Sequence, residues 1–353
     1  MSQKAHFSWL LTILLVPATF FGQGGVTKTR SARLTLEVTK QVKSEMAGIF
    51  ALPLKCDAAG KLYLRSPDDT TIVKITPDKG ERQATFPSRP LPTDLKRLRY
   101  FDVEPDGSLL QLASVRQSFD RAVVEFDALG GYKRTIRLQT GFKWAPSQIA
   151  SFTSAHRILV SGQRTLADTK AGERTRLPFT GIFDDDGKLI REVKFADDAD
   201  LHQMAESGDP VYVSSEVPDS NRAITHGAAE SGPDGNVYLM RAAAPPIIYA
   251  VTSDGDVIRR FRVDPGETAF APLQPLHISG NRIAVLFHDN NNQKQLVKVV
   301  SLSGEELATY DTAEGRDSPG PTLACYSAAD ERFTFLQESA ENRYLILRVF
   351  QPR

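Results

Sequence analysis

Residues 231–263 read SGPDGNVYLMRAAAPPIIYAVTSDGDVIRRFRV, and this stretch decides which fold the chain can adopt. It contains three runs rich in β-forming residues, at 236–240, 247–251 and 257–263. Asp234-Gly235 precedes the first run and Asp254-Gly255 precedes the third. Asp-Gly pairs favour tight turns between antiparallel strands, because glycine accepts a positive φ without a Cβ clash. The stretch therefore predicts a three-stranded meander, which a strand over Ala228–Ser231 would extend to four.

The same unit recurs along the chain. Six copies can be read in chain order, at 56–86, 101–138, 149–195, 231–263, 276–310 and 323–350, and the third and sixth depart most from the pattern. The first-turn glycines Gly60 and Gly107, and likewise Gly235 and Gly280, imply a period of roughly 45 to 50 residues, which for four strands is typical of a β-propeller blade. The repeat therefore predicts a β-propeller.

The sixth copy ends after its third strand, and the chain start supplies a candidate for the fourth. Ala32–Val38 alternates polar and apolar residues before the first copy begins. An N-terminal strand paired with the last blade would close the ring and remove an exposed edge. We therefore predict an all-β fold: a six-bladed β-propeller with four-stranded antiparallel blades, closed by the N-terminal strand. The alternative is a pair of packed β-sandwich domains.

Charge and composition narrow the classes of function. The chain has 43 basic and 43 acidic residues, which indicates no electrostatic footprint for nucleic acid. Local basic clusters at Lys96–Arg99 and Arg259–Arg262 are interpreted as solvated strand faces. The 21 prolines and 24 glycines fit a fold with many turns. No long stretch keeps apolar residues at helical spacing, so few and short helices are expected.

The first residues are typical of an export signal. Lys4 precedes the uncharged segment Phe7–Phe21, which is too short for a spanning helix of roughly 20 residues. Cleavage after Gly22 is expected. The predicted domains are a signal peptide at 1–25 and a single propeller at 26–353, secreted or periplasmic, monomeric, with no membrane span after cleavage. The alternative is an uncleaved membrane anchor.

The two cysteines, Cys56 and Cys325, fall in the first strands of the first and sixth copies. These blades are neighbours if the ring closes as predicted. In an oxidising compartment a disulfide between them is chemically allowed and would staple the closure. The alternative is a pair of buried free thiols, which are common in protein cores.

Polar residues on the predicted innermost strands are candidates for a metal site in the central channel, where a divalent cation such as calcium could be held. They are Asp57, Asp102, Glu104, Glu230 and His277. Asp102 and Glu230 lie five residues before their turn glycines, whereas Asp57 and His277 lie three before theirs. Of these four residues, only two agree at each height, and a metal site needs at least three ligands. We expect no metal and no other cofactor.

No other motif points to catalysis. The segment 196–227 is rich in acidic residues and histidine, but its spacings match no zinc or calcium template and predict a solvated loop. The aspartates that precede turn glycines, such as Asp106 and Asp186, are interpreted as turn residues. The sequence contains no Gly-x-Ser-x-Gly elbow, Walker loop or dinucleotide fingerprint, so no catalytic residue is assigned.

The repeat core h-x-x-D-G-x-h-Y-h, followed by a second turn and a charged outer strand, resembles secreted bacterial six-bladed β-propellers of the NHL-like kind. The resemblance covers nearly all of the chain after residue 25. It implies a rigid disc used to bind proteins or small ligands, and sometimes for lactone hydrolysis or lyase chemistry. We expect an exported, non-catalytic binding scaffold for an unknown protein or small ligand. The alternative is a metal-dependent hydrolase or lyase with its site in the channel.

Overall fold

The computed structural model describes residues 33–44, 50–65, 71–116, 118, 120–165, 176–198, 227–266, 270–289, 291–292, 294–312, 322–339 and 344–353. The expected signal peptide and most of the acidic loop after residue 198 lie outside these residues. Within them, helix is limited to two short 3-10 segments, Thr153–Ala155 and Ala196–Asp198. No helix in this part of the chain has the length and hydropathy needed to cross a bilayer.

Four sheets contain four strands each, paired antiparallel in chain order. Their strands are β2 (Ala51–Cys56), β3 (Leu62–Arg65), β4 (Ile72–Ile75) and β5 (Arg82–Phe86); β6 (Leu95–Val103), β7 (Leu109–Val115), β8 (Arg121–Phe126) and β9 (Tyr132–Leu138); β10 (Trp144–Phe152), β11 (Arg157–Thr165), β12 (Arg176–Phe183) and β13 (Leu189–Glu192); β14 (Ala228–Ser231), β15 (Val237–Arg241), β16 (Ile247–Val251) and β17 (Val257–Arg262).

The remaining strands form one eight-stranded sheet that includes the first strand of the chain, β1 (Arg33–Lys43). The others are β18 (Phe270–Ser279), β19 (Arg282–Asp289), β20 (Lys294–Ser301), β21 (Glu306–Thr312), β22 (Thr322–Ser327), β23 (Arg332–Glu338) and β24 (Leu345–Pro352). The strand order is β18-β19-β20-β21-β1-β24-β23-β22. β1 is parallel to β21 over Arg33–Leu36 and antiparallel to β24 over Leu36–Lys43.

The first strands of the four-stranded sheets, together with β18 and β22 of the eight-stranded sheet, contact one another in a closed circuit. β2 contacts β6, and the circuit continues through β10, β14, β18 and β22 back to β2. The sheets are therefore arranged as the blades of a β-propeller. This arrangement agrees with the predicted all-β propeller of four-stranded antiparallel sheets and not with the alternative of two packed β-sandwiches.

Apolar side chains lie between neighbouring sheets. All five residues of β15 and all five of β16 are buried, whereas every residue of β17 retains some exposure. A middle strand is covered on both faces by the adjoining sheets, which explains why 237–240 and 247–251 are continuous apolar runs without polar alternation. The same packing joins β2–β5 to the last strands of the chain, where Leu62 and Leu64 share a cluster with Leu336 and Leu347.

Glycines in tight turns pack against the outer strand of the neighbouring sheet. In the turn before β9, Gly130 has a φ of +87°, and a Cβ at this position would lie 2.0 Å from the Thr85 carbonyl oxygen of β5. The Gly130 carbonyl in turn accepts a hydrogen bond of 2.8 Å from the Ser88 N–H. Gly80, before β5, meets the Lys43 carbonyl of β1 in the same way. Only glycine combines this φ with so close a backbone approach.

Candidate functional site

A buried ion cluster lies where the first strands of three sheets meet. Lys55 Nζ is 3.1 Å from Asp102 Oδ1 and 2.9 Å from Glu230 Oε1, and it also donates to the Ala229 carbonyl. An ammonium group has three N–H donors, so this arrangement satisfies all of them. The cluster ties together β2, β6 and β14, which are far apart in sequence.

Strand register explains why these side chains meet. Lys55, Asp102 and Glu230 are each the second-last residue of their first strand, and so is Ser151 in β10. Equivalent positions on neighbouring inner strands of a propeller lie at the same height around the axis. The cluster is therefore built from one residue position, repeated in successive sheets.

Asp102 is bound on both of its carboxylate oxygens. Oδ1 contacts Lys55, and Oδ2 accepts a hydrogen bond of 2.9 Å from the Ser151 N–H. Ser231 Oγ donates to the Ser151 carbonyl at 2.7 Å and lies 3.4 Å from the same Asp102 oxygen. Such complete pairing is what a charge requires when it is taken out of water.

Burial and neighbouring charges shift the pKa values of both Lys55 and Glu230. Burial opposes the charge of Lys55, but the adjacent Glu230 and Asp102 carboxylates outweigh it and raise the pKa of the lysine. Burial raises the pKa of Glu230 to about 7, the Lys55 charge opposes this rise, and the Asp102 charge adds to it. Lys55 therefore stays protonated, while Glu230 titrates near neutral pH.

His277 of β18 lies apart from these carboxylates. Its Nε2 donates to the Leu323 carbonyl at 3.0 Å, which fixes the proton on Nε2. Burial lowers the pKa of His277 to about 4; the bond to Leu323 opposes this effect, and the Lys55 charge adds to it. The imidazole is neutral at neutral pH and serves to link β18 to β22.

Asp57 and Glu104 are turn residues rather than inner-strand ligands. Asp57 Oδ1 accepts from the Ala59 and Lys61 N–H groups at 3.0 and 2.9 Å, and Tyr63 Oη donates to Oδ2. Glu104 Oε2 accepts a hydrogen bond from Ser108 Oγ, and burial raises the pKa of this carboxyl. Of the five metal candidates, the structure brings together Asp102 and Glu230, with Lys55 between them. No three His, Cys, Asp or Glu side chains within the described ranges are grouped to hold a metal ion.

A cavity of about 470 Å³ opens beside the cluster, on the side of the turns that follow the first strands. Glu230 lines this cavity and also belongs to the cluster, so it connects the two. Asp57, Glu104 and Arg332 are further charged residues of the lining. The volume falls within the roughly 300–1,000 Å³ range of small-molecule sites.

Cys56 and Cys325 lie in the wall of the same cavity and are joined by a disulfide. Their Cα atoms are 5.7 Å apart, although 269 residues separate them in sequence. The bond connects β2 to β22, the first and last members of the circuit of inner strands. It joins the first strands of the first and sixth copies, where the sequence allowed either a disulfide or two free thiols.

Lys55 is the site residue that sequence reasoning missed. It lies five residues before Gly60, the same offset that relates Asp102 to Gly107 and Glu230 to Gly235. The signal was therefore present in the repeat. Lysine is not a usual metal ligand, so a pattern of acidic residues and histidine does not include the residue that lies between the two carboxylates.

Comparisons with known proteins give no family for the chain. No protein-family model matches it, and no curated protein is significantly similar to it. Among solved structures, a protein of unknown function from Bacteroides caccae is 13% identical, with 79% of this chain and 94% of that chain covered and a TM-score of 0.43. The PQQ-bound aldose sugar dehydrogenase of Streptomyces coelicolor is 12% identical, with 90% and 98% covered and a TM-score of 0.46. Similarity at this level carries no argument about the ligand or activity of this chain.

Proposed function

We propose that this chain is a six-bladed β-propeller that acts as a non-catalytic binding protein, with a small polar ligand or a protein segment held at the cavity beside the Lys55 cluster. The observation that carries the proposal is the position of Lys55. Its ammonium group occupies the space between Asp102 and Glu230, where two carboxylates could otherwise hold a cation. The polar cavity beside it offers room for a ligand.

The blade count rests on the role of β1. In the proposed count, β18–β21 form the fifth blade, and β22–β24 with β1 form the sixth. In four blades, a glycine in the turn before the fourth strand lies against the outer strand of the preceding blade. The pairs are Gly130 with Thr85, Gly187 with Arg137, Gly255 with Arg191 and Gly304 with Phe261. Gly80 makes the equivalent contact with Lys43 of β1. This supports β1 as the outer strand of the blade that precedes the first, which closes the ring.

The same cluster bears on the alternative function, a metal-dependent hydrolase or lyase. A divalent cation bound by Asp102 and Glu230 would have to displace Lys55 and would still need a third protein ligand. Asp57, Glu104 and His277 are engaged elsewhere, in two turns and in the bond to Leu323. We therefore propose that the chain has no resident metal. Export to a secreted or periplasmic location, as a monomer, belongs to the same proposal, since disulfides persist in oxidising compartments.

Narrowing the cavity provides the test. Ala58 lies exposed in the turn after β2 and lines the cavity, so Ala58→Trp should obstruct it. Leu129→Trp is the matched control, because Leu129 is 78% exposed in the turn before β9 and is not part of the cavity lining. Thermal shift is measured for both variants and the parent against a panel of polyols, amines, short peptides, calcium chloride and zinc chloride.

We expect at least one organic compound to raise the thermal midpoint of the parent and of Leu129→Trp, but not of Ala58→Trp. Stoichiometric calcium or zinc, lost on Asp102→Asn, would instead favour the metal-dependent enzyme. A panel in which every shift is the same for Ala58→Trp and Leu129→Trp would count against recognition at the cavity.

A further inference from the structure

The disulfide is accessible from the cavity and shielded on its other side. Both of its residues line the cavity, whereas behind them lies the apolar cluster of Leu54, Leu336 and Leu347. Cys56 is partly exposed, but Cys325 is only 5% exposed. Of the two residues, Cys56 is therefore the more open to a small molecule in the cavity.

We propose that the Cys56–Cys325 disulfide is a thiol–disulfide exchange site for small neutral or cationic thiols that enter the cavity, with Cys56 as the sulfur attacked. The thiolate of the incoming molecule forms a new S–S bond with Cys56 Sγ while the Cys56–Cys325 bond breaks. The electron pair leaves on Cys325 Sγ, which takes a proton from water. The sulfur of the incoming thiol is oxidised, and that of Cys325 is reduced.

The charges of the cavity select among thiols. Among the described residues that line it, Asp57, Glu104 and Glu230 are acidic and Arg332 alone is basic. Lys55 does not remove this excess, because its one ammonium group faces two carboxylates, Asp102 and Glu230. Lys74 lies 3.7 Å from Asp57 and offsets that charge, so the excess comes from Glu104 and the Glu230 side of the cavity. Every attacking thiolate is negative at sulfur, so a second negative charge on the molecule is repelled and a positive charge is attracted. The site therefore discriminates against thiols that also carry a carboxylate.

Exchange changes the cavity without removing the ring. The adduct on Cys56 projects into the cavity, and the covalent link between β2 and β22 is lost. The apolar cluster shared by β3, β23 and β24 remains, as does the pairing of β1 with β24. The proposed site thus couples the redox state of small thiols to the space available in the cavity, whichever ligand binds there.

The test compares three thiols on the folded protein: cysteamine, 2-mercaptoethanol and 3-mercaptopropionate. Each exchange rate is divided by the rate of the same thiol with a small uncharged disulfide, which removes differences in intrinsic reactivity. The reaction is quenched with acid, free thiols are alkylated, and peptides are mapped by mass spectrometry. We expect the adduct on Cys56, the alkyl group on Cys325, and a normalised rate for cysteamine about tenfold above that for 3-mercaptopropionate.

Three variants sharpen the result. Glu104→Gln should reduce the preference for cysteamine, whereas Glu37→Gln, on the exposed face of β1, should leave it unchanged. The double variant Cys56→Ser/Cys325→Ser should acquire no adduct. Equal normalised rates for all three thiols, an adduct mainly on Cys325, exchange no faster than global unfolding, or two free thiols in the unreduced, denatured parent would each overturn the proposal.

Discussion

Lys55 Nζ and Asp102 Oδ1 lie 3.1 Å apart, although 47 residues of chain separate the two side chains. The side chains are only 6% and 2% exposed. With Glu230, this pair connects three sheets at the centre of the circuit of inner strands. A buried ion pair is stable only while both partners are present, because removal of one leaves the other charged and desolvated. Stability and site geometry therefore depend on the same contact.

Removal of the Lys55 charge should lower the free energy of unfolding. Lys55→Met keeps much of the side-chain volume but leaves Asp102 and Glu230 without their counterion. By the usual effect of breaking a buried pair, we expect the free energy of unfolding to fall by about 3–5 kcal/mol. Urea denaturation followed by tryptophan fluorescence measures this change.

The matched control for this variant is Lys40→Met, since Lys40 is 48% exposed and faces Asp78 at 3.7 Å. Exposed pairs contribute little, so its unfolding midpoint should stay close to that of the parent. Addition of Asp102→Asn to Lys55→Met should recover part of the loss, because it removes a stranded charge. Equal midpoints for Lys55→Met and Lys40→Met would show that the cluster does not hold the sheets together.

Glu230 should make stability depend on pH. Its pKa is about 7 in the folded chain and near 4.5 in the unfolded chain. Between these values the folded protein keeps a proton that the unfolded chain releases, so the free energy of unfolding contributed by Glu230 falls as pH rises. The full change is up to about 3 kcal/mol.

Glu230→Gln isolates this contribution. His277 titrates with the opposite sign, but it is present in both proteins and cancels in the difference between them. We expect the free energy of unfolding of the parent, minus that of Glu230→Gln, to be largest near pH 4.5 and to fall progressively up to pH 8. Chemical denaturation at intervals of half a pH unit gives the difference. A difference that is constant with pH would mean that the pKa of Glu230 is the same in the folded and unfolded chains.

The propeller arrangement of four-stranded antiparallel sheets could be predicted from the sequence because the repeat consists of local signals. Turn glycines and apolar runs recur at a regular interval, and propeller sheets pack mainly on their neighbours, so local pattern and global arrangement agree. The parallel pairing of Arg33–Leu36 with β21 has no such signal. This pairing depends on the position of β21 relative to the N-terminal strand. The N-terminal strand is not part of the repeat, so the repeat does not predict this position.

The candidate site was only partly predictable, for two physical reasons. Asp57 has the spacing of an inner-strand ligand, but hydrogen bonds to the backbone of its own turn hold it there. Asp102 and Glu230 do share a level, as their common offset predicts, but the ion between them is the ammonium group of Lys55. Spacing therefore predicted which positions meet. It did not predict that the cation at this level is a lysine side chain and not a metal ion.

The turn glycine Gly130 should tolerate no side chain. Gly130→Ala combines a positive φ with a Cβ placed 2.0 Å from the Thr85 carbonyl oxygen, so the turn must move away from β5. Gly141 also has a positive φ, of +70°, but a Cβ added there would meet no atom of the described residues within 4 Å. Gly141→Ala should cost about 1 kcal/mol of stability from backbone strain alone, and Gly130→Ala clearly more. Equal thermal midpoints would show that the contact between these two sheets adapts freely.

The N-terminal strand should be anchored mainly by one side chain. Leu36 is the only fully buried residue of β1 and packs in the cluster that contains Tyr310, Phe333 and Phe350, whereas Leu34 is 36% exposed. Leu36→Ala should lower the free energy of unfolding by about 2–5 kcal/mol, while Leu34→Ala should have little effect. Deletion of 32–38 should go further, because β24 would lose part of its antiparallel partner and expose a strand edge that recruits other chains. Light scattering during thermal denaturation would then show aggregation for the deletion at a temperature below the midpoint of the parent. Unchanged midpoints for both Leu36→Ala and the deletion would mean that the ring closes without β1.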